Sequence, residues 1–254
     1  MFKGFYNLAS GMITHGKNLD VISNNMANVS TTGFKADCFT GQTFDEVMYT
    51  IVGNKNKNYE DIGNQSYATV PSRLYTDYSQ ASFDATNMPL DFAIDDDGTG
   101  FFAIQAGDGV VYTRAGDFSL DEEGYLALPD HGRVLDVNGE EILLVTDKIT
   151  TDDYGRIYTK EGAYMGQIGV YAFEDPGTLT KDPMGMFVPE GGGGQPQVRP
   201  TLLHHGMLER SNVGLVQQMV KMISTQRAYQ SSATLTKMYD QVMSHAANDL
   251  GRLQ

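Results

Sequence analysis

The chain has 254 residues, 41% of them hydrophobic, which is enough for one large folded domain or two smaller ones. Its 18 basic and 32 acidic residues give a formal charge of -14, which opposes binding to nucleic-acid phosphates and anionic lipid surfaces. A single cysteine, Cys38, excludes an internal disulfide and a cysteine-rich metal site. The start of the sequence has no continuous apolar run, so it indicates neither a cleaved signal peptide nor a membrane span.

The N-terminal region carries a repeat of apolar positions at alternating steps of three and four. This heptad spacing predicts a long helix that packs along a narrow seam against a partner helix. An amphipathic helix of an ordinary α+β domain would give a similar pattern, and that interpretation stays open at this point. The positions of the repeat are Phe5, Leu8, Met12, His15, Leu19, Ile22, Met26 and Val29.

The C-terminal region repeats this spacing and predicts a second long helix. Ser211 or Asn212 is expected to cap its start, because both side chains accept hydrogen bonds from backbone N–H groups. Two long helices are thus expected to bracket the chain, and we call the positions of the two repeats, other than His15, Tyr239 and Ala246, the assembly seam. On the C-terminal helix the positions of the repeat are Val213, Val216, Val220 and Ile223, then, after a polar gap, Leu235, Tyr239, Val242 and Ala246.

Between the helices the sequence changes to short β-type runs separated by turns. "AGDG", "LDEEGY", "DVNGEE" and "TDDYGR" each place Asp or Asn close before Gly between apolar segments, as tight hairpin turns require. The runs "FSLDEEGYLAL" and "ITTDDYGRIYT" resemble two copies of one hairpin. The middle of the chain is therefore predicted to be antiparallel β structure.

Two polar segments help to divide the chain. Residues 53 to 66 are predicted to form an exposed loop or an element that a neighbouring molecule orders, and residues 189 to 200 a Gly- and Pro-rich linker. The predicted fold class is α+β, with N- and C-terminal helices pairing as a coiled-coil layer around a mainly antiparallel β domain. The predicted parts are the N-terminal helix, an extended linker with a polar variable segment, the β-rich middle domain and the C-terminal helix, at 1–34, 35–80, 81–200 and 201–254.

The side chains that could carry chemistry do not form a known catalytic or metal pattern. The run Asp95 to Asp97 before Gly98 lacks the alternating ligands and the twelfth-position Glu of an EF-hand loop, so a turn explains it better. His204 and His205 are adjacent in a predicted loop and are expected to face solvent rather than to share a metal. Neither a G-x-S-x-G elbow nor a P-loop occurs. We therefore predict no catalytic residue, no cofactor, no metal and no enzymatic activity.

Two functions remain compatible with these features. Narrow apolar seams at both termini favour packing against copies or relatives, since burial contributes roughly 25 cal/mol per Å² of apolar area. This favours a self-assembling structural protein. The alternative is an acidic extracellular carbohydrate-binding or hydrolytic module carried on helices, and its cleft would use Tyr112, Tyr125, Tyr158 and Tyr171.

The two ends of the sequence carry motifs that resemble the bacterial flagellar rod and hook family. "SNNMANVSTTGFKAD" is similar to the family's Asn-Asn-x-Ala-Asn core with a following Thr-x-Gly-Phe/Tyr-Lys turn, and we call it the N-terminal signature. "LERSNVGLVQQMVKMISTQRAYQ" resembles the family's Leu-Glu-x-Ser-Asn-Val start and Gln-Arg-Ala-Tyr stretch, and we call it the C-terminal signature. The middle run from "PLDFAI" to "DEEGYL" also resembles the family, with an unusual acidic run before "GFF".

The matching positions are candidate site residues. In the N-terminal signature they are Asn24, Asn25, Asn28, Thr31, Gly33, Phe34 and Lys35. In the C-terminal signature they are Leu208, Glu209, Ser211, Asn212, Val213, Gln226, Arg227 and Tyr229. Asn28 and Gly33 can adopt left-handed backbone conformations at low cost, and Ser30, Thr31 and Thr32 can bond nearby backbone groups, which suits a helix that ends at a fixed place.

The resemblance implies a rod subunit of the flagellar basal body, the drive shaft that transmits motor torque to the hook. It implies export through the flagellar type III apparatus, and terminal helices that pair into a tube inside an outer β layer. The implied partners are copies of the chain, other rod and hook proteins, the export apparatus and, in a cell with an outer membrane, a ring bushing. A hook subunit usually carries a further outer domain, for which 254 residues leave little room. The signatures favour the distal over the proximal rod protein.

Overall fold

The structure is a computed structural model that describes residues 2–43, 47–52, 59–65, 69–107, 109–182, 184–189 and 195–251. The chain divides into two compact units. The first, which we call the helical unit, comprises Met1–Met26, Asp37–Tyr75 and Gly214–Gln254. The second, which we call the β unit, comprises Ala27–Ala36 and Thr76–Val213.

In its described residues the helical unit contains both long helices and four strands. The helices are α1 (Phe2–Ala27) and α2 (Leu215–Gly251), and the strands are β1 (Asp37–Thr43), β2 (Val47–Val52), β3 (Tyr59–Gln65) and β4 (Thr69–Thr76). β1 pairs with β4, and β2 pairs with β3 in an antiparallel ladder. The segment 35–80, which the sequence predicts to be an extended linker, thus forms two strand pairs, because its backbone groups bond to each other.

The two helices contact each other in reversed sequence order. Thr236 in the middle of α2 donates to Met12 Sδ at 3.7 Å, and Asn18 Nδ2 donates to Thr225 Oγ1 at 3.5 Å. A residue further along α1 therefore contacts a residue earlier in α2, so the helices run antiparallel within one chain. Among the described residues, neither helix is long and apolar enough to cross a membrane.

The predicted cap of α2 is wrong. The helix begins at Leu215, and its first turn is closed by a hydrogen bond of 3.0 Å from Gln218 N to the carbonyl of Gly214. The Asn212 side chain bonds other parts of the β unit instead, so it is not available to cap the helix. Ser211 Oγ accepts from the N–H of Val213 ahead of the helix.

The described residues of the β unit form sixteen short strands and one turn of 3-10 helix. In chain order they are β5 (Phe83–Ala85), β6 (Phe92–Asp95), β7 (Gly100–Ala106), β8 (Gly109–Thr113), β9 (Ser119–Leu120), β10 (Leu126–Leu128), β11 (Gly132–Val134), β12 (Ile149–Thr151), β13 (Arg156–Thr159), β14 (Tyr164–Gln167), β15 (Val170–Ala172), the 3-10 turn (Pro176–Thr178), β16 (Leu179–Lys181), β17 (Phe187–Pro189), β18 (Gln197–Val198), β19 (Leu202–His205) and β20 (Met207–Glu209). The registers of these strands confirm the predicted antiparallel β structure.

Strand β7 is the centre of the β unit. It pairs with β8 along one edge and with β11 and β15 along the other. Its side chains alternate between two buried apolar clusters: Phe102 and Ile104 belong to one, and Phe101 and Ala103 to the other. Because both faces of β7 are covered, the run "GFFAI" is continuously buried, as a central strand requires.

Three of the predicted hairpin turns are confirmed, and one arrangement of hydrogen bonds recurs in them; Asp108 of the fourth, "AGDG", lies outside the described residues. In the β9–β10 hairpin, Asp121 Oδ1 accepts from the N–H groups of Glu123 and Tyr125 at 3.0 and 2.8 Å. Asp152 and Asp136 accept in the same way from the residues two and four positions further on. An aspartate in this position fixes the turn by replacing backbone acceptors, which explains the repeated Asp-x-x-Gly spacing.

Both polar segments lie partly outside the described residues. Of the segment 53 to 66, residues 59 to 65 form β3, and the predicted loop at 53–58 and 66 lies outside the described part. Of the predicted linker 189 to 200, residues 197 and 198 form β18, and 190–194 lie outside. His204 and His205, predicted to lie in a loop, belong to β19, where they pair with Ala93 and Phe92 of β6.

Candidate functional site

After the end of α1, the N-terminal signature continues into a turn that is closely packed within the β unit. Gly33 takes a φ of +64°, and its N–H donates to the carbonyl of Glu209 at 2.8 Å. A Cβ at this position would lie 2.3 Å from both Ala115 N and the carbonyl carbon of Arg114. Only glycine fits here, because any other side chain would meet both a left-handed backbone and a main-chain clash.

The turn carries a buried lysine that reaches the C-terminal signature. Lys35 Nζ donates to Glu209 Oε1 at 2.7 Å and to the carbonyl of Ser79 at 2.9 Å, and both charged side chains are almost fully buried. The N–H of Ala81 donates to the same Glu209 oxygen at 2.9 Å. The two signatures, 174 residues apart at these positions, therefore share one ion pair.

A second ion pair extends this contact into the β unit. Arg114 Nη1 lies 3.4 Å from Glu209 Oε2, and its Nη2 bonds Asp96 Oδ1. The Arg114 guanidinium also lies 5.2 Å from the centre of the Phe101 ring, within reach of a cation–π contact. We call Lys35, Asp96, Arg114 and Glu209 the buried charge cluster. Its two positive and two negative groups balance, as buried charges require.

Burial and neighbouring charges shift two pKa values in the cluster. Burial raises the pKa of Asp96, but the Arg114 charge and hydrogen bonds from Gly98 N and Gly100 N outweigh it, so the net pKa lies below the ordinary value. Burial lowers the pKa of Lys35, and the charge and hydrogen bond of Glu209 only partly oppose this. The carboxylate of Asp96 is therefore stabilised in its ionised form.

This shift predicts a pH-dependent contribution to stability. A carboxyl whose folded pKa lies below its unfolded value stabilises the fold fully above the unfolded pKa, about 3.9, and loses that contribution as the pH falls through the lower folded pKa. We expect the difference in melting temperature between the native chain and Asp96→Asn to be large at pH 7 and to shrink below about pH 4. Asp97→Asn is the control, because Asp97 is exposed. An equal difference at both pH values would contradict this role of Asp96.

The side chains of two asparagines in the signatures form hydrogen bonds with backbone N–H and carbonyl groups of neighbouring segments. In the helical unit Asn25 is only 1% exposed, donates to the carbonyl of Asp37 at 2.7 Å and accepts from its N–H at 2.9 Å. In the β unit the Asn212 side chain accepts from Ala36 N at 2.7 Å and donates to the carbonyl of Asp77 at 2.8 Å. Each amide offers both a donor and an acceptor, so asparagine can fix a chain segment from one position.

The other residues of the N-terminal signature are placed around this turn. Lys181 Nζ lies 4.4 Å from the centre of the Phe34 ring and donates to the carbonyl of Lys35 at 2.7 Å. Thr31 Oγ1 donates to Asn28 Oδ1 at 3.2 Å. Of the two residues that can adopt a left-handed conformation at low cost, Gly33 does so and Asn28 does not. Asn24 lies exposed on α1.

The C-terminal signature divides between the two units. Leu208 lies in β20 opposite Asp84, and Val213 is buried just before the chain leaves the β unit. Gln226, Arg227 and Tyr229 lie on α2; the first two are exposed and Tyr229 is half-buried.

Most of the assembly seam lies on the two helices, with different burial on each. On α1, Ile22 is buried, Leu8, Met12, Leu19 and Met26 are half-buried and Phe5 is exposed. On α2 the seam is exposed within one chain at Val216, Val220, Ile223, Leu235 and Val242. Val29 and Val213 lie outside the helices. The role of the seam in assembly stays a prediction.

Sequence reasoning missed two members of the buried charge cluster. Asp96 is assigned to a turn from the sequence, and Arg114 is included only within the middle run that resembles the family. An arginine that directly follows the apolar strand β8 is the one signal that could have indicated a buried cation. Among the residues that the structure describes, no group of His, Cys, Asp or Glu side chains could hold a metal ion.

The tyrosines of the alternative function do not gather in one cleft. Tyr112 and Tyr171 belong to a buried apolar cluster, and Tyr171 donates to the carbonyl of Asp136 at 2.6 Å. Tyr125 lies under the Arg133 guanidinium, and Tyr158 packs against another tyrosine of its own hairpin. No observation favours the carbohydrate module.

The architecture and the signature contacts define the class: an α+β structural protein whose two terminal signatures meet in buried polar contacts. Three family models match the chain. Flagella basal body rod protein matches residues 5–35, the D1 domain of flagellar hook protein FlgE/F/G matches 93–170, and the C-terminal region of flagellar basal body rod FlgEFG protein matches 204–250. The chain belongs to the flagellar basal-body rod protein family.

Similar proteins over the whole length carry two rod-protein names. Flagellar basal-body rod protein FlgG of Bacillus subtilis (strain 168) is 35% identical over 98% of this chain and 99% of its own. Flagellar basal-body rod protein FlgF of Mesorhizobium japonicum is 31% identical over 99% of both chains. Flagellar basal-body rod protein FlgG of Borreliella burgdorferi is 30% identical over 98% of both chains.

Proposed function

We propose that this chain is a structural subunit of the flagellar basal-body rod that assembles through its terminal helices into a tube. The observation that carries the proposal is the exposed apolar side of α2, where Val216, Val220 and Ile223 follow the predicted seam. A row of exposed aliphatic side chains at helical spacing is costly in water and favours a partner helix. The family membership supports a rod as the assembly.

The proposed layers follow the predicted division of the chain. The helices within 1–34 and 201–254 pair as a coiled-coil inner layer, and the β-rich part at 81–200 forms the outer layer. The antiparallel contacts between α1 and α2 support the pairing. Within the β unit, the buried charge cluster holds the turn that follows α1 against the strand that precedes α2.

The proposed partners are copies of the chain, neighbouring rod and hook proteins and, in a cell with an outer membrane, a ring bushing. We also propose export through the flagellar type III apparatus and a position in the distal part of the rod, which the two signature sequences favour over the proximal part. The relatives named FlgG and FlgF support a place in the rod without distinguishing these positions.

A gene deletion combined with one substitution tests the proposal. Electron microscopy of basal bodies from deleted cells should show no distal rod and no hook, and the native gene should restore both. Val220→Asp should fail to restore them, because Val220 is 63% exposed in the chain and a charge buried in a helix contact costs several kcal/mol. Val220→Thr, of similar shape, is the control and should restore rods.

Two outcomes would contradict the proposal. Complete rods and hooks in deleted cells would show that the chain is not a rod subunit. Complete rods built from Val220→Asp subunits would show that the exposed side of α2 does not take part in assembly. Circular dichroism of the purified variant should match that of the native chain, because an exposed position leaves the fold of the subunit intact.

A further inference from the structure

The β unit has an open groove near the place where strand β6 begins. Its volume is about 740 Å³, which is enough to receive several side chains. Much of its lining is apolar, and the three charged residues in the lining are all aspartates. Of these only Asp147 is exposed, and it has no ion-pair partner among the residues that the structure describes. We call this surface the acidic groove, and its lining includes Met88, Leu90, Asp117, Phe118, Val145 and Asp147.

One residue of the acidic groove is held in a strained backbone conformation. Val145 has a φ of +60°, and a hydrogen bond of 2.7 Å from Thr146 N to the carbonyl of Leu144 closes the turn around it. A β-branched residue rarely adopts this conformation, because it costs free energy. The valine side chain is nevertheless 71% exposed. Neither the strain nor the exposure stabilises the isolated subunit, so both indicate a surface that another molecule covers.

The same unit carries a basic and apolar stretch near the other end of β6. Val198 and Leu202 are 44% and 46% exposed, and Arg199 and Pro200 between them are exposed as well. Arg199 has no ion-pair partner within the described part of the chain. No aspartate or glutamate occurs from 191 to 208, although the formal charge of the chain is -14. We call Val198, Arg199, Pro200 and Leu202 the basic rib.

We propose that the basic rib of one copy docks in the acidic groove of a second copy, with Arg199 paired to Asp147. The apolar side chains of the rib then cover the apolar lining of the groove, and the two charges are opposite. Lys148, the next residue after Asp147, does not line the groove. Complementary charges of this kind favour one partner surface over others. This inference rests on the proposed assembly of the chain and adds a contact between β units to the contact between helices.

The backbone of the basic rib is fixed before it docks. Its strand β18 pairs with β15, and Arg199 N donates to the carbonyl of Val170 at 3.0 Å. At the other end of the rib, Leu202 pairs with Asp95 of β6. Because the backbone is held at both ends, docking orders few additional groups and costs little conformational entropy.

The rib and the groove of one subunit cannot meet. Strands β6 and β19 form an antiparallel ladder, in which Asp95 pairs with Leu202 at one end and Phe92 with His205 at the other. The rib adjoins the first end, and the groove residues 88–91 adjoin the second. The ladder fixes the two ends about 10 Å apart. Only another molecule can therefore bring a rib into the groove.

This docking also determines the kind of assembly. A contact between two different surfaces leaves a free groove on one copy and a free rib on the next, so it builds rings or helical series rather than two-fold dimers. In both, every copy has the same axial direction. The docking is therefore compatible with a tube in which α1 and α2 run antiparallel within each copy.

Charge reversal at both positions tests the pairing. Arg199→Asp and Asp147→Arg should each reduce the number of complete rods per cell at least about fivefold, because each places like charges in every contact. The variant with both substitutions should restore rods to near the native number, since it only exchanges the two charges. Lys160→Asp, a charge reversal at another exposed position of the β unit, is the matched control. It should leave the number of rods unchanged and should not rescue Asp147→Arg.

A glycine at position 145 separates docking from folding. Glycine adopts a positive φ without strain, so the melting temperature of the purified Val145→Gly subunit should not fall below that of the native chain. The number of complete rods per cell should nevertheless fall at least about twofold, because the apolar contact of the valine side chain is lost. A native number of rods would contradict the burial of Val145 in this contact.

Two outcomes of the charge reversals would overturn the pairing. They are a native number of rods with either single variant, and failure of the exchanged pair to restore rods. The Val220→Asp variant distinguishes these outcomes from a failure of the proposed function. If Val220→Asp blocks assembly and the reversed charges at 147 and 199 do not, the helices assemble the rod and the acidic groove takes no part in it.

Cross-linking identifies the occupant of the groove directly. Full-length chains with Cys38→Ser, Asp147→Cys and Arg199→Cys, treated in assembled rods with a short bismaleimide, should give products of two, three and more times the chain mass of 27.9 kDa. Either new cysteine alone should give none. A dimer from one cysteine alone would indicate two-fold pairing, and a cross-link only to a chain of another mass would indicate a different partner. Each of these two results would overturn the proposal.

Discussion

The Glu209→Ala chain is expected to lose about 3 to 5 kcal/mol of folding free energy, because the substitution leaves two buried cations without their shared carboxylate. Lys35 Nζ lies 2.7 Å from Glu209 Oε1, and Arg114 Nη1 lies 3.4 Å from Oε2. The N–H of Ala81 would also lose its acceptor. The chain has no tryptophan and 14 tyrosines, so urea unfolding should be followed by the near-ultraviolet circular dichroism of tyrosine.

The matched control for this prediction is Glu174→Ala. Glu174 is also a glutamate of the β unit, but it is exposed, so its removal should change the free energy of unfolding by less than about 0.5 kcal/mol. Lys35→Met combined with Glu209→Gln should recover part of the loss, because fewer unpaired charges then remain buried. A Glu209→Ala chain as stable as the control would mean that water or another anion replaces the carboxylate.

Gly33→Ala is expected to destabilise the β unit by more than about 3 kcal/mol, since a left-handed conformation alone costs an alanine about 1 to 2 kcal/mol. The added Cβ would also lie 2.3 Å from main-chain atoms of Arg114 and Ala115, which cannot move without disturbing the end of β8. The expected result is a lower melting temperature and a weakened hydrogen bond from residue 33 to the Glu209 carbonyl, which amide exchange at residue 33 would measure.

Gly107→Ala separates the two causes. Gly107 has a φ of +57°, close to the +64° of Gly33, but no atom lies within 4 Å of its added Cβ. Its replacement should therefore show only the backbone cost, about 1 to 2 kcal/mol. If both variants lose the same stability, the packing of the turn against residues 114 and 115 contributes nothing.

The regular elements of this fold could be predicted from the sequence because their signals are local. The Asp-x-x-Gly turns at Asp121 and Asp152 hold their own neighbours, so the hairpins around them follow from a few adjacent residues. The strand pairs β1–β4 and β2–β3 were missed because β1 and β3, one strand of each pair, are polar and show weak alternation, although β2 (VMYTIV) is apolar.

The buried charge cluster could be predicted only in part. Lys35 and Glu209 were identified through the resemblance of their signatures to a known family, and nothing in their local sequence indicates that they bond to each other. Asp96 belongs to an acidic run that fits an exposed turn equally well. Whether such a charge is buried depends on strands distant in sequence, which composition and spacing do not encode.

The faces of α2 show a different limit of sequence reasoning. The predicted seam at Val216, Val220 and Ile223 and the more buried positions at Gln218 and Thr225 both occur at helical spacing. Periodicity identifies the helix and its apolar side, but it does not say whether a neighbour in the same chain or another copy covers that side.

The buried charge cluster also makes the β unit sensitive to the completeness of its chain. Lys35, Asp96 and Arg114 are all present once the first half of the sequence exists, but the carboxylate that balances them comes at Glu209. A shorter chain would have to bury an excess of positive charge to form the same core. The β unit therefore cannot reach its final packing until nearly the whole polypeptide is available. A subunit that ends before Glu209 would lack the carboxylate that balances the buried cations, and its β unit would be unstable.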